Sequence, residues 1–200
     1  ISNAVDVYIS YNSTNPTTTA ILSDGRAMKW GDGTSAVGGT LVGATPTEIT
    51  EINYPTEKAK QIVMEYYGGM FVLLESGSIR AILVHPIVYG ASNTNNNIIP
   101  GITTAIQIAE GNHVVYALLS DGSVWDWGSN DENRGNMGRP DIPSGYMDGS
   151  NYRPPGQVEG IGPGSGAIKL VSRQFGCMVL FEDGTVKGFG ENANDVLLQG

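Results

Sequence analysis

Much of what a sequence of this length usually carries is scarce here. There is a single cysteine, Cys177, so no intrachain disulfide can form. It sits inside the apolar run GCMVLF, where a thiol is expected to be buried and inert rather than nucleophilic. Basic residues are few: 11 Lys and Arg against 20 Asp and Glu, a net charge of −9. That balance argues against a nucleic-acid partner, because displacing counterions from phosphates needs clustered cations. It also argues against an anionic membrane surface, and is better read as solubility. Charged residues reach only 16%, below the usual ~25%, so Asn, Thr, Ser, Gly and Gln must carry the surface. No apolar run approaches the ~20 residues of a membrane-spanning helix, and no signal peptide is visible. The chain opens on Ile1 rather than Met, which points to processing or to a piece of something longer. No G-x-S-x-G, C-x-x-C, H-E-x-x-H or phosphate-loop sequence is present. No catalytic residue, cofactor or metal ligand is therefore assigned. Amphipathic helical periodicity is nearly absent, with Thr56 to Gln61 making one helical turn at most.

Glycine, by contrast, is abundant, at 28 residues, about twice the usual ~7%. Its placement follows an internal repeat. Ala105 to Gly138 returns without a gap as Ala167 to Gly200, offset by 62 positions. Asp121-Gly122 matches Asp183-Gly184, Trp127-Gly128 matches Phe189-Gly190, and Asn130 matches Asn192. Within the repeat, Val114 to Leu119 reads as a buried strand, Asp121-Gly122 as a hairpin turn with positive φ, and Val124 to Trp127 as the return strand that Gly128 ends. Thr18 to Gly33 fits the same template through Leu22, Asp24-Gly25 and Trp30-Gly31, after an alternating strand at Val5 to Ile9. A degenerate copy runs through Leu73-Leu74 and Gly77. There Ser76 replaces the turn Asp, Ile82-Leu83 replaces the aromatic-Gly pair, and Tyr89-Gly90 seven residues on suggests an insertion.

Four units result, at about 1–56, 57–103, 104–166 and 167–200, the last incomplete. Pro46-Thr47-Glu48-Ile49 in the first is echoed by Pro155-Gly156-Gln157-Val158 in the third, with Ile52 echoed by Ile161. The fourth has no such tail. Repeats of about fifty residues, each long enough for one four-stranded sheet, predict an all-β array of propeller blades.

The repeated residues are read structurally. Trp30, Trp127 and Phe189 share one slot and are expected in the core between blades. Trp125, on the strand face opposite Val124, packs on a neighbouring blade. Asp24, Asp121 and Asp183 serve the turns. Asp131, Glu132, Asp141 and Asp148 share one long loop of the kind that ligates calcium, but their spacing does not match a calcium-loop pattern. Gly162 to Gly166 is a flexible connection, and His85 and His113 lack partners at ligand spacing. If one segment binds a partner it is the 129–166 loop, which holds Arg134, Tyr146, Tyr152 and Arg153, residue types enriched at interface hot spots.

The pattern in ALLSDGSVWDWGSNDENRGNMG with PGQV, and in AILSDGRAMKWGDG with PTEI, resembles the regulator-of-chromosome-condensation repeat. That resemblance implies a β-propeller, typically of seven blades, so four units suit part of a larger or multi-chain ring. It further implies a surface for protein partners, with known family roles that include nucleotide exchange on a small GTPase. The expected function is a non-enzymatic structural or attachment module. Its partner would be another protein, further copies, or more blades of a parent chain, and its low-charge Asn/Thr/Gly surface suits a virion or an extracellular assembly. A glycan-binding propeller and a GTPase exchange factor are the alternatives. Insertion into a membrane is not expected.

Overall fold

A computed structural model describes residues 1–10, 17–31, 43–65, 69–82, 96–129, 136–139, 152–174 and 176–190. These form four antiparallel sheets and, among the described residues, no helix. The first sheet joins β1 (Ala4–Ile9), β2 (Thr17–Leu22), β3 (Ala27–Gly31) and β4 (Thr47–Glu48) in sequence order. The second joins β5 (Ala59–Met64), β6 (Met70–Leu74), β7 (Ile79–Ile82) and β8 (Asn97–Ile98). The third joins β9 (Ala105–Glu110), β10 (Val114–Leu119), β11 (Val124–Ser129) and β12 (Tyr152–Gln157). The fourth has three strands among the described residues, β13 (Ala167–Arg173), β14 (Gly176–Phe181) and β15 (Val186–Gly190). Each is an up-and-down meander, the form of a propeller blade. The chain divides into two compact units, one holding β1–β8 and the other β9–β15.

The hairpins between second and third strands explain the Asp-Gly signature, and correct one part of it. Positive φ belongs to the glycine alone: 91° at Gly25, 85° at Gly77, 85° at Gly122 and 83° at Gly184. Each turn is a three-residue loop. The Gly122 amide donates to the Leu119 carbonyl at 3.0 Å, and the Leu119 amide to the Ser123 carbonyl at 2.9 Å. This is a β-turn closed by a left-handed glycine, not a two-residue turn that would need positive φ at Asp as well. The Asp supplies an acceptor instead. Asp121 Oδ1 takes hydrogen bonds from the Ser123 amide at 2.9 Å and its hydroxyl at 2.6 Å. Asp183 does the same with Thr185. Ser76 accepts from the Ser78 amide at 3.3 Å, so the degenerate turn keeps the same link with a hydroxyl.

Two other expectations change. Gly128 does not end the third strand: β11 continues to Ser129, with a register shift against β12 between Asp126 and Gly128. In keeping with its weak helical pattern, the segment from Thr56 forms no helix and enters β5 at Ala59, whose amide bonds the Gly25 carbonyl at 2.9 Å. Gly162 to Gly166 is also better ordered than a free connection. The Gly164 amide donates to the Asp121 carbonyl at 2.7 Å, and the Ser165 hydroxyl to the Gly122 carbonyl at 2.7 Å. The Tyr89-Gly90 pair lies outside the described residues.

Each unit has one core packed between two sheets. In the first, Ile21, Ala27, Ile49 and Ile52 meet Ile62, Met64, Val72 and Leu74. In the second, Val114, Tyr116, Leu118 and Val124 meet Leu170, Cys177, Val179 and Phe181, with Val158 and Ile161 completing the layer. Gln107 on β9 staples this second pair of sheets. Its side-chain amide donates to the Leu170 carbonyl and accepts from the Leu170 amide, both at 2.8 Å. Cys177 lies in this apolar layer and is fully buried. Burial pushes its thiol pKa up, away from thiolate reactivity.

Candidate interaction surface

Of the four loop residues singled out from sequence, Arg134 and Tyr146 lie outside the described residues. Tyr152 and Arg153 open β12, half-buried and paired across the ladder with Ser129 and Gly128. They belong to the sheet rather than to a free loop.

The long connection between β11 and β12 is anchored at residues 136–139 by a buried polar cluster. Asp126 lies within β11, fully buried. Its carboxylate accepts from the Gly138 amide at 2.8 Å and from Arg139 Nε at 2.6 Å. Arg139 also donates to the Pro154 carbonyl at 3.1 Å, which ties the loop to β12. Beside it the Tyr116 hydroxyl donates to the Asn136 carbonyl at 2.6 Å. Sequence reading passed over Asp126 and Tyr116. The available signal was strand alternation, which puts Asp126 on the same face as Val124 and therefore in the core.

Burial pushes the Asp126 carboxyl up to about 6, although Arg139 and the Gly138 amide pull the other way. An unfolded Asp titrates near 3.9. Between these values the folded chain holds the proton more tightly than the unfolded chain. Asp126 therefore contributes stability at low pH that is lost as pH rises through about 6. The turn carboxylates act oppositely. Side-chain and backbone hydrogen bonds from Ser123 and Thr185 lower the pKa of Asp121 and Asp183, so their contribution is lost as pH falls below the ordinary carboxylate range. Asp126→Asn should remove the first trend alone. Between pH 7 and pH 5, the wild type should gain stability relative to the variant in urea unfolding. Parallel curves for the two proteins would show that Asp126 does not titrate in that window.

A cleft of about 460 Å³ opens next to this cluster, lined in part by Arg139, Val158, Glu159, Lys187 and Phe189. Phe189 meets Tyr116 edge-on, with ring centroids 5.6 Å apart. No group of three or more His, Cys, Asp or Glu side chains is placed to hold a metal among the described residues. The Asp131, Glu132, Asp141 and Asp148 carboxylates lie outside them.

The shared aromatic slot is not uniform. Trp127 is fully buried, whereas Trp30 and Phe189 are half-buried, as is Trp125. The first and fourth sheets also expose apolar side chains. On β1, Val5, Val7 and Ile9 are 67%, 64% and 65% exposed, Val5 at a register shift against β2. On β13, Ile168 and Val171 are exposed as well.

No family model and no curated protein matches the sequence. Solved structures do match its fold. The chain is similar to human WBSCR16 at 15% identity and a TM-score of 0.68, covering 97% of this chain and 49% of that one. It is similar to Prp20p from Saccharomyces cerevisiae, a protein with binding properties to Gsp1p and histones, at 18% identity and a TM-score of 0.65, covering 92% and 44%. Yeast RCC1 (Prp20), in a structure bound to Kap60, aligns at 17% identity and a TM-score of 0.60, covering 87% and 40%. The fold is thus that of RCC1-type β-propeller blades. The chain spans about half the length of these matched structures.

Proposed function

We propose that the chain is a non-enzymatic protein-interaction module whose exposed apolar strand residues bind further protein. The observation that carries this reading is β1, where the aliphatic side chains of Val5, Val7 and Ile9 are each about two-thirds exposed. Exposed apolar patches mark interaction sites. The exposed Ile168 and Val171 of β13 add to this surface. The protein partners of Prp20p accord with the reading. The low charge and the Asn/Thr/Gly-rich surface favour a structural role in a virion or extracellular assembly over an exchange factor. An exchange factor would accelerate nucleotide release from a small GTPase, which is directly measurable. A glycan-binding role would require reproducible retention of one glycan class on an array, with the Phe189-lined cleft as its place.

Light scattering over a concentration series tests the main reading. The chain should exceed its 21.1 kDa monomer mass at high concentration, and Val7→Lys with Ile9→Lys should restore the monomer. These positions are exposed, so the double variant should keep its thermal midpoint. A monodisperse monomer at every concentration, with no binding to any protein through these residues, would overturn the proposal.

A further inference from the structure

The third blade carries a polar cluster that the other blades do not repeat. Counting from the turn glycine, the residues equivalent to Asp126 are Lys29, Ala81 and Gly188. A buried acid here is therefore no requirement of the blade. Across the ladder Asp126 meets Gly156 on β12, where the first and second blades have Thr47 and Asn97. A Cβ on Gly156 would collide with Arg139 Nη1, so the absent side chain leaves the room in which the guanidinium lies. Arg139 Nε donates to Asp126 Oδ1 at 2.6 Å, and Nη2 donates to the Asp126 and Pro154 carbonyls at 3.3 Å and 3.1 Å. The third nitrogen, Nη1, has no hydrogen-bond partner among the described residues. The guanidinium is thus held on one side with donors to spare on another.

Arg139 held in this way lines the cleft of about 460 Å³, and Lys187 lines it too. Lys187 is exposed, with its ammonium 5.3 Å from the Phe181 ring centroid. No carboxylate among the described residues lies within ion-pair distance of it. The cleft's apolar lining includes Val158, Ile161 and Phe189, the last half-buried and edge-on to Tyr116. Glu159, exposed, is the one acid in the lining. On a chain whose acids outnumber its bases 20 to 11, two cations beside an apolar wall form a local charge of the opposite sign.

We propose that this cleft binds an acidic protein segment in which a single Glu or Asp adjoins a Leu, Ile or Phe. Arg139 and Lys187 hold the carboxylate, and the apolar neighbour packs on Phe189 and Ile161. An arginine suits the first role because its planar fork can donate to an internal carboxylate and to a ligand's carboxylate at once. Glu159 repels a second negative charge, so the cleft selects one carboxylate over a polyanionic run. The site rests on the reading of the chain as a protein-interaction module. It lies in the unit of β9–β15, whereas β1 belongs to the other.

The probe is an end-capped peptide, Gly-Ser-Leu-Glu-Leu-Ser-Gly, titrated into the full chain and followed by amide NMR. Saturable binding is expected, with shifts centred on Gly138, Lys187, Gly188 and Phe189, and with affinity that falls as salt rises. Exchanging the peptide's Glu for Gln should weaken binding about fivefold or more, the scale of one charge-assisted contact. Arg139→Gln would leave Asp126 without its ion pair, so the variants are placed at exposed positions. Lys187→Glu should weaken binding to a similar degree and Glu159→Gln should strengthen it, both with the thermal midpoint of the wild type. Absence of saturable binding would overturn the site. So would equal binding of the Gln peptide, or unchanged affinity in Lys187→Glu. A neutral glycan that shifts the same amides, whatever the charge at position 187, would overturn it in favour of the glycan alternative. Self-association through β1 should be the same in Lys187→Glu as in the wild type, so a failed titration beside intact self-association would overturn the cleft alone.

Discussion

Gly128→Ala should lower the stability of the chain by at least ~3 kcal/mol, or prevent β9–β15 from folding, measured by urea unfolding. Two effects combine. The residue has φ of 127°, a backbone conformation that L side chains rarely adopt, and forcing one there costs about 1–3 kcal/mol. A Cβ at this position would also collide with the His113 carbonyl and stand 2.9 Å from the Val114 Cα. Those are backbone atoms of the first residue of β10 and of the residue before it, so no rotamer change can relieve the clash. The Ser129 amide next to it bonds the His113 carbonyl at 2.8 Å, so moving the strands apart would break the ladder. The same φ recurs at Gly31 (128°) and Gly190 (122°), which accounts for the repeated aromatic-Gly pair. The glycine lets the third strand run past its neighbour at close range without ending. Wild-type-like unfolding of Gly128→Ala would mean that the strand relaxes here, and that the repeated glycine has another cause.

Trp127→Ala should cost roughly 3–5 kcal/mol, the range for removing a fully buried large aromatic. Trp127 is completely buried and sits across the ladder from Val115, itself completely buried. Trp30→Ala and Phe189→Ala should each cost less, because those rings are half-buried in their own blades and lose less contact on truncation. Thermal and urea unfolding of the three variants should therefore rank Trp127 well above the other two. Equal losses would mean that the slot has the same burial in every blade, against the exposures found here.

The two predictions separate what is local from what is not. The hairpins were legible because a turn is decided by residues within a few positions of one another. Asp or Ser as acceptor, then Gly in the left-handed region, suffices whatever packs around it, as Asp121-Gly122 and Ser76-Gly77 both demonstrate. The blade count followed from the repeat of those turns. The aromatic slot was legible as a position but not as a burial, since Trp30, Trp127 and Phe189 read alike in sequence. Asp126 was missed because a carboxylate between two tryptophans looks like a solvated residue until its face is known.

By itself, then, the sequence determined that this protein is an all-β chain of about four propeller-type blades, with glycine wherever strands turn or pass closely. The determinants are local, and every blade repeats them. Only the tertiary structure decided which repeated residues are buried, why residues 136–139 are held at Asp126, and which aliphatic side chains are left exposed. Val124 and Val186 occupy equivalent positions after equivalent turns. One is fully buried with Val158 and Ile161 in the same core, and the other is 37% exposed. Burial depends on what covers a sheet edge or face, and that covering, as with Val158 and Ile161 over Val124, lies far along the chain.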